Sequence, residues 1–412
     1  MPPALDVPTP APPQVAAPER PTGPAPDPAM PRMPWALLVA CCLGMFAASS
    51  SGTTRAPFLI DMARDLDTSL ALVANLMALT SIAWGAASLF AGAGSDRWGR
   101  RPFLIGGPVG LALCMVLVSR SGSYAEAALW STFAGGCAGA FTGVLMAEAS
   151  ARTVDRQRGR ALGWVMAGQS LTLLVGVPAA AAIGTLIGWR GVNLCVAALA
   201  LVAAASLFLT TLRPVDGPRK AGAAAPSLRA ALSPRVLNLL AMGVAERICY
   251  GLTAVYFATF LQSTYQLSLG QVALPLALFA LGNIGGTIIG GQLADRLRNR
   301  MLTFAAAMAA SGLVALALFG WQAGLVPTVA LGFAYVFVNA LARPSLMAAM
   351  ANVPDEVRGT VLGLNVTSAS FGWLGAASLG GWMMAGYGFG GFGPLTAAVA
   401  LLGAGLAVFG RR

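Results

Sequence analysis

The sequence contains no histidine, a single lysine (Lys220) and charged side chains at only 10% of its 412 positions. Each shortage excludes something. Without imidazole there are no His metal ligands, no His-attached haem and no His acid–base pair, which removes most hydrolase and membrane-oxidase readings. Lys220 sits in "GPRKAGAAA", outside any Gly-x-x-x-x-Gly-Lys phosphate cradle, so a nucleotide-driven pump is disfavoured. Cysteine is scarce, and Cys41, Cys42, Cys114, Cys137, Cys195 and Cys249 all fall in apolar runs without ligand spacing. They read as small apolar packers rather than disulfides or metal ligands, and neither a metal nor a cofactor is implied.

What is present is apolar: 57% of residues are hydrophobic and the mean hydropathy is +0.72. A soluble domain, with about a quarter of its residues charged, could not hide that much surface. Apolar runs of about 20 residues follow one another with short polar breaks, the length that crosses a hydrocarbon core. They are continuous rather than alternating, which excludes a β-barrel. The runs predict twelve spans, at 35–57, 70–93, 102–119, 124–146, 159–184, 191–212, 236–261, 270–293, 301–320, 325–345, 358–384 and 391–410. The expected class is an all-α, polytopic membrane protein in the lipid bilayer.

The formal charge of +11 is distributed as topology rather than as a nucleic-acid footprint. Basic residues gather in the N-terminal arm, the even-numbered connections and the C-terminus. Arg55, Arg64, Arg120, Arg190 and the intramembrane Arg247 are the exceptions. The positive-inside rule then puts both termini in the cytoplasm.

Residues 1–33 form a Pro/Ala-rich arm, expected to be a disordered cytoplasmic segment with no cleavable leader pattern. A six-span bundle at 34–212, a polar linker at 213–235 and a second bundle at 236–412 follow. The halves repeat: Asp96-Arg97 recurs as Asp295-Arg296 (295 − 96 = 199), and "DRQRGRALG" at 155–163 recurs as "DEVRGTVLG" at 355–363 (358 − 158 = 200 for the arginine). Two motifs at nearly one offset predict two pseudo-symmetric six-helix bundles, an architecture of transporters whose sites lie near the midplane between halves.

The loop "GAGSDRWGRR" at 92–101 has the pattern Gly-x-x-x-Asp-Arg-x-Gly-Arg-Arg between spans 2 and 3, through Gly92, Asp96, Arg97, Gly99, Arg100 and Arg101. In this the chain resembles the major facilitator superfamily. Gly176, Pro178 and Gly184 look like the fifth span of that family's antiporter branch, and Gly188-Trp189-Arg190 like the corner that follows it in arabinose-efflux and multidrug-efflux relatives. The chain departs from the pattern twice. Span 4 carries Ser131 and Thr132 where proton-coupled relatives often have an arginine, and the second loop copy has Arg298 and Asn299 in place of the Gly-Arg pair. The resemblance implies that Asp96 bridges the halves by facing the start of span 11 near Arg358 and Gly359, a latch for the outward-open state. By the repeat, Asp295, beside Arg296, would face the start of span 5 near Arg158 and Gly159. A carboxylate facing a helix N-terminus gains about 0.3–1 kcal/mol.

Within the membrane, Glu246 and Arg247 in "MGVAERICYGLTAVYFATF" lie well inside span 7. Such charges cost about 2.5–3.5 kcal/mol each at a helix centre and are functional candidates. Two readings stand together: they fasten the bundle by pairing with each other or with other spans, or Glu246, the sole deep carboxylate, carries a proton. Phe46, Gln169, Tyr250, Tyr256, Asn283, Asn339, Asn365 and Trp373 are the expected substrate contacts. A cavity of amides and aromatics suits a lipophilic or amphipathic small molecule better than a sugar phosphate or dicarboxylate, which would call for paired cations. Glycine ladders Gly135/Gly139/Gly143 and Gly282/Gly286/Gly290 allow close helix approach. The expected function is proton-coupled efflux of a small molecule by a monomer in a bacterial inner membrane, with nutrient uptake as the alternative. A membrane enzyme or a sensor on the same scaffold is the different-class reading.

Overall fold

The structure, a computed structural model, describes residues 33–212, 233–297, 299–322, 324–352 and 355–409. The side chains of Asp96, Arg158 and Arg358 lie outside the described residues, as does Gly359 beyond its backbone. Every regular element among the described residues is helical.

In the first half these are α1 (Trp35–Thr53), a 3-10 turn (Ala56–Phe58), α2 (Leu59–Asp65), α3 (Leu70–Trp98), α4 (Arg101–Arg120), α5 (Tyr124–Ala151), α6 (Asp155–Leu171), a π turn (Thr172–Gly176) and α7 (Val177–Thr210). The second half contains α8 (Pro234–Tyr265), α9 (Ala273–Arg296), α10 (Arg300–Gly320), α11 (Leu325–Ala351), α12 (Asp355–Tyr387), a 3-10 turn (Gly388–Gly391) and α13 (Phe392–Phe409).

Helix starts are written in the polar breaks. Ser69 Oγ accepts from Leu72 N, Ser123 Oγ from Glu126 N and Ser233 Oγ from Val236 N, each at 3.3 Å, and Asn299 Oδ1 accepts from Leu302 N at 3.2 Å. These caps satisfy N–H groups that the first turn leaves orphaned. Glu126 reaches back to Gly122 N at 2.9 Å, and Pro234 occupies the first turn of α8, where a missing N–H costs nothing.

Among the described residues ten stretches are long and apolar enough to cross a membrane, and the two longest, of 52 and 43 residues, each turn back once. The first reverses at Gly188, whose φ of 64° and ψ of 177° are open to glycine and costly for other residues. Trp189 Nε1 and Arg190 then donate to one Asp65 oxygen at 2.9 and 2.6 Å, while Arg190 also donates to Ser121 O at 3.1 Å. From that corner α7 runs back until Phe208 lies under the Arg101 guanidinium, 5.0 Å from its ring centroid. The second reversal is the 3-10 turn at Gly388–Gly391. Counting each side of the two turns gives twelve helical segments among the described residues.

Two faces result: a terminal face, where α1 begins and α13 ends, and a far face. The halves press together toward the far face. Gln262 Nε2 donates to Pro57 O at 3.3 Å, and a Cβ on Gly184 would sit 2.3 Å from the Phe58 ring and 3.2 Å from Leu269. A Cβ on Gly381 would lie 3.0 Å from Ala71 Cβ. One buried apolar cluster runs through both halves, from Phe58, Met62 and Met77 to Tyr256, Phe257 and Phe279. Midway along the helices α3 and α12 still meet, where a Cβ on Gly85 would lie 2.7 Å from Ser370 Oγ, and within the first half α6 packs against α1 and α5.

Candidate functional site

A small cleft lies between the halves, with a free volume of about 30 Å³, below the range of about 300–1,000 Å³ typical of small-molecule sites, so a ligand enters it only as the halves part. The first half contributes Thr53, Ala56, Met77, Leu173 and Val177, and the second Tyr250, Ala254, Leu276, Phe279, Ala280 and Trp373. The walls are almost wholly apolar, and the Thr53 hydroxyl is spent on Ser49 O at 2.8 Å. Tyr250 lies halfway along α8. Its ring meets Trp373 edge-on at 5.7 Å and Phe279 at 6.4 Å, so three aromatics form one surface.

Leu173 and Val177 owe their positions to a break in helix geometry. Pro178 has no N–H to donate to the preceding turn, and the backbone widens into the π turn at Thr172–Gly176. Thr172 Oγ1 ties that turn to Phe46 O at 3.1 Å, and a Cβ on Gly176 would lie 3.1 Å from the Phe46 ring.

Behind the aromatic surface sits a charged group of three. Glu246 is 1% exposed. Its Oε1 accepts from Arg343 Nε at 3.2 Å and from Arg343 Nη2 at 2.9 Å, and its Oε2 faces Arg247 Nε at 3.5 Å. The Arg343 guanidinium also rests 5.2 Å from the Tyr250 ring centroid, which links the charges to the cleft wall. Arg247 lies against α12, where a Cβ on Gly372, next to Trp373, would come within 2.3 Å of its Cβ.

Arg343 was not among the expected site residues. Ending span 10 at 345 places it near the membrane surface, but α11 continues to Ala351, so Arg343 lies more than two turns inside. The readable signal was the apolar run "PSLMAAMA" after it, together with Pro344, which interrupts the helix ladder beside the arginine.

Of the expected contacts, Tyr250 and Trp373 line the cleft. Phe46 backs the π turn, and Gln169 is exposed on α6, outside the cleft lining. Tyr256 is fully buried with its hydroxyl donating to Ala377 O at 2.9 Å. Asn339, also fully buried, places Nδ2 4.0 Å from Met308 Sδ, and Asn365 Nδ2 is 3.4 Å from Met347 Sδ. Asn283 is buried in α9, and its Oδ1, like that of Asn339, has no partner among the described residues. Asn339 and Asn365 reach neighbouring helices inside the second half, and none of the three asparagines lines the cleft.

At the terminal face, Gly99 takes φ 85°, which explains glycine there, whereas Gly92 has no neighbour that would oppose a side chain. Arg97 lies over the exposed Trp98 ring at 5.9 Å, and Trp98 stacks on Phe103 at 6.4 Å. Arg100 Nη1 donates to Glu148 Oε2 at 3.3 Å and to Ala147 O at 3.4 Å, and Arg152 pairs with the other Glu148 oxygen. In the second copy Asp295 and Arg296 are exposed, and Arg300 donates to Ala294 O at 3.3 Å and Ala348 O at 3.4 Å. The expected Asp96–Arg358 and Asp295–Arg158 latches fall on side chains outside the described residues.

The family model described as Major Facilitator Superfamily matches residues 40–377 and, a second time, 247–412. The chain is 25% identical over 295 residues to the chloramphenicol resistance protein of Streptomyces lividans, covering 70% of this chain and 73% of that protein. It is 28% identical over 295 residues to the transcription regulatory protein OpdE of Pseudomonas aeruginosa (71% and 73% covered). It is also 29% identical over 271 residues to the inner membrane transport protein YdhP of Escherichia coli K12 (63% and 66% covered).

Proposed function

The chain belongs to the major facilitator superfamily, a family of transporters rather than enzymes, and from that premise we propose that it exports a small lipophilic or weakly polar molecule by proton-coupled alternating access. The observation that carries this reading is the cleft: an apolar, aromatic-lined space between two repeated halves, midway along their helices, with a buried ionisable group against its wall. Such a space desolvates an apolar body at little polar cost. The resistance protein among the relatives supports export.

Both termini are placed in the cytoplasm by the charge bias, so the far face is external and the conformer described is closed to the outside. Opening the other way requires the contacts of Gln262, Phe58, Leu269 and Ala71 to part while the terminal ends approach. The loop at 92–101 then latches the alternate state through Asp96 and the start of α12. Glu246 is the proton carrier: neutralising it loosens Arg343, hence Tyr250, and so couples charge to the shape of the cleft. The protein works as a monomer.

The test is accumulation of candidate compounds in cells with and without the protein at two external pH values. Expressing cells should hold less compound, by a margin that shrinks as the proton gradient is removed, and both E246Q and Y250A should erase it. Equal accumulation across a broad panel would contradict export, and a margin indifferent to pH would contradict proton coupling. The name of the Pseudomonas relative raises a sensing role, which predicts no flux in proteoliposomes.

A further inference from the structure

The charged group behind the cleft does not balance. Glu246 contributes one negative charge and Arg247 and Arg343 two positive ones, and no other acid meets them among the described residues. Arg343 is held by two hydrogen bonds to one oxygen and by the Tyr250 face. Arg247 has only its Nε at 3.5 Å from Glu246 Oε2, and its two terminal nitrogens have no protein partner among the described residues. Its side chain stays 22% exposed although it starts from the middle of α8. A guanidinium left unmatched in low dielectric is costly unless an anion completes it.

Glycine at 372 lets Arg247 lie flat on α12, since a Cβ there would approach the arginine Cβ to 2.3 Å. The neighbouring residue, Trp373, is cleft wall. Arg247 lies one turn before Tyr250 on α8 and packs at Gly372 beside Trp373, so its spare donors neighbour the aromatic wall, the donors offering planar paired N–H groups and the wall a dry surface.

We propose that the transported molecule is an amphipathic monoanion, whose carboxylate or similar group pairs with Arg247 while its apolar body lies against Tyr250, Phe279 and Trp373 as the halves part. This rests on the reading of the cleft as the substrate site and narrows its substrate class. Arg343 stays committed to Glu246, so one negative charge is matched and a dianion is not.

The experiment compares 2-naphthoate with 2-naphthamide, the same bicyclic body with and without the charge, as ligands of the full chain in lipid nanodiscs, read as concentration-dependent shifts of the unfolding temperature. Naphthoate should bind at least about tenfold tighter than naphthamide, the scale of one charge-assisted pair. In R247Q that preference should collapse while naphthamide affinity is kept, and R247K, a charge without the planar fork, should fall between. Y250A should weaken both ligands. Naphthamide binding equal to naphthoate, or a preference that survives R247Q, would overturn the anion site and leave the cleft standing. Failure of both ligands to bind would overturn the cleft reading together with it. If R247Q does not fold, the R247K comparison decides: a reduced preference for naphthoate supports the pairing with Arg247, and an undiminished preference contradicts it.

Discussion

The two halves carry the same helices but place their charges at different depths. Each holds one buried acid between two arginines: Glu148 with Arg100 and Arg152 in the first half, Glu246 with Arg247 and Arg343 in the second. At the repeat offset of 200, Glu148 corresponds to Ala348 (148 + 200), and Glu246 to Phe46 (246 − 200). Arg247 and Arg343 correspond to Ala47 and Gly143, and Tyr250 to Ser50. Even Arg100 and Arg300 keep their roles, each donating to a carbonyl near the terminal end of the pass it faces, but among the described residues only Arg100 finds a carboxylate there. The difference teaches that the repeat builds the frame and leaves the chemistry free to diverge. The first half sets its acid–arginine cluster at the terminal face, and the second sets its own behind the central cleft.

The helix seams diverge in the same way. In the first half the glycines are on α5: Cβ atoms on Gly135 and Gly139 would lie 2.1 and 2.2 Å from the carbonyl oxygens of Thr80 and Trp84 on α3. In the second half the corresponding seam joins α9 and α11, and the glycines have changed sides. Cβ atoms on Gly282, Gly286 and Gly290 of α9 would come within 2.9, 2.2 and 2.8 Å of α11 backbone at Phe333, Phe337 and Leu341. Either helix can supply the missing side chain, because close approach needs only one of two facing surfaces to be small.

Substitutions that treat the halves alike should break these parallels unequally. The largest effect belongs to E246A, which strands two arginines in the membrane. It should cost about 3–5 kcal/mol and abolish transport. E148A, acting on arginines nearer the terminal face, should cost about 1 kcal/mol. Thermal unfolding in nanodiscs checks the pair, and equal losses would mean that depth is not what distinguishes the clusters. Next, Gly139→Val and Gly286→Val should each destabilise by about 3 kcal/mol, the upper end for overpacking, because backbone cannot step aside. Matching losses would establish that the two seams are one device with its glycines exchanged.

A smaller effect is expected at the loops. D96N should leave folding intact and slow transport by a factor of about 5–30, the shift produced by losing roughly one or two kcal/mol from a two-state balance. D295N, in the copy without the Gly-Arg pair, should slow it less, with rates compared at equal expression. The smallest effect is Gly143→Ala: nothing lies within 4 Å of a Cβ there, so stability should stay within about 0.5 kcal/mol.

Much of this was legible in the sequence, because membrane spans, polar breaks and a repeated loop are local signals. The intramembrane Glu246-Arg247 pair stood out by residue type alone, and the corner at Gly188–Arg190 and the region around Pro178 through the family resemblance. What could not be read was partnership across helices. Arg343 looked like a surface arginine because the end of a pass is blurred when an apolar run continues beyond a charge. The amides looked like a set because their faces were unknown, yet Asn339 points to Met308 and Asn365 to Met347. Both glycine ladders were visible, but their being the same seam seen from opposite sides depends on which helices meet.

The most direct test of two halves rocking about the cleft is a pair of distances measured by spin labels in full-length protein freed of its native cysteines. One pair, at Trp98 and Leu297, reports the terminal face, and the other, at Gly122 and Gln322, reports the far face. Between acidic and alkaline buffer the account predicts two populations at each face, with one distance shortening as the other lengthens. A single fixed distance at both faces, or two distances that move in the same direction, would contradict it.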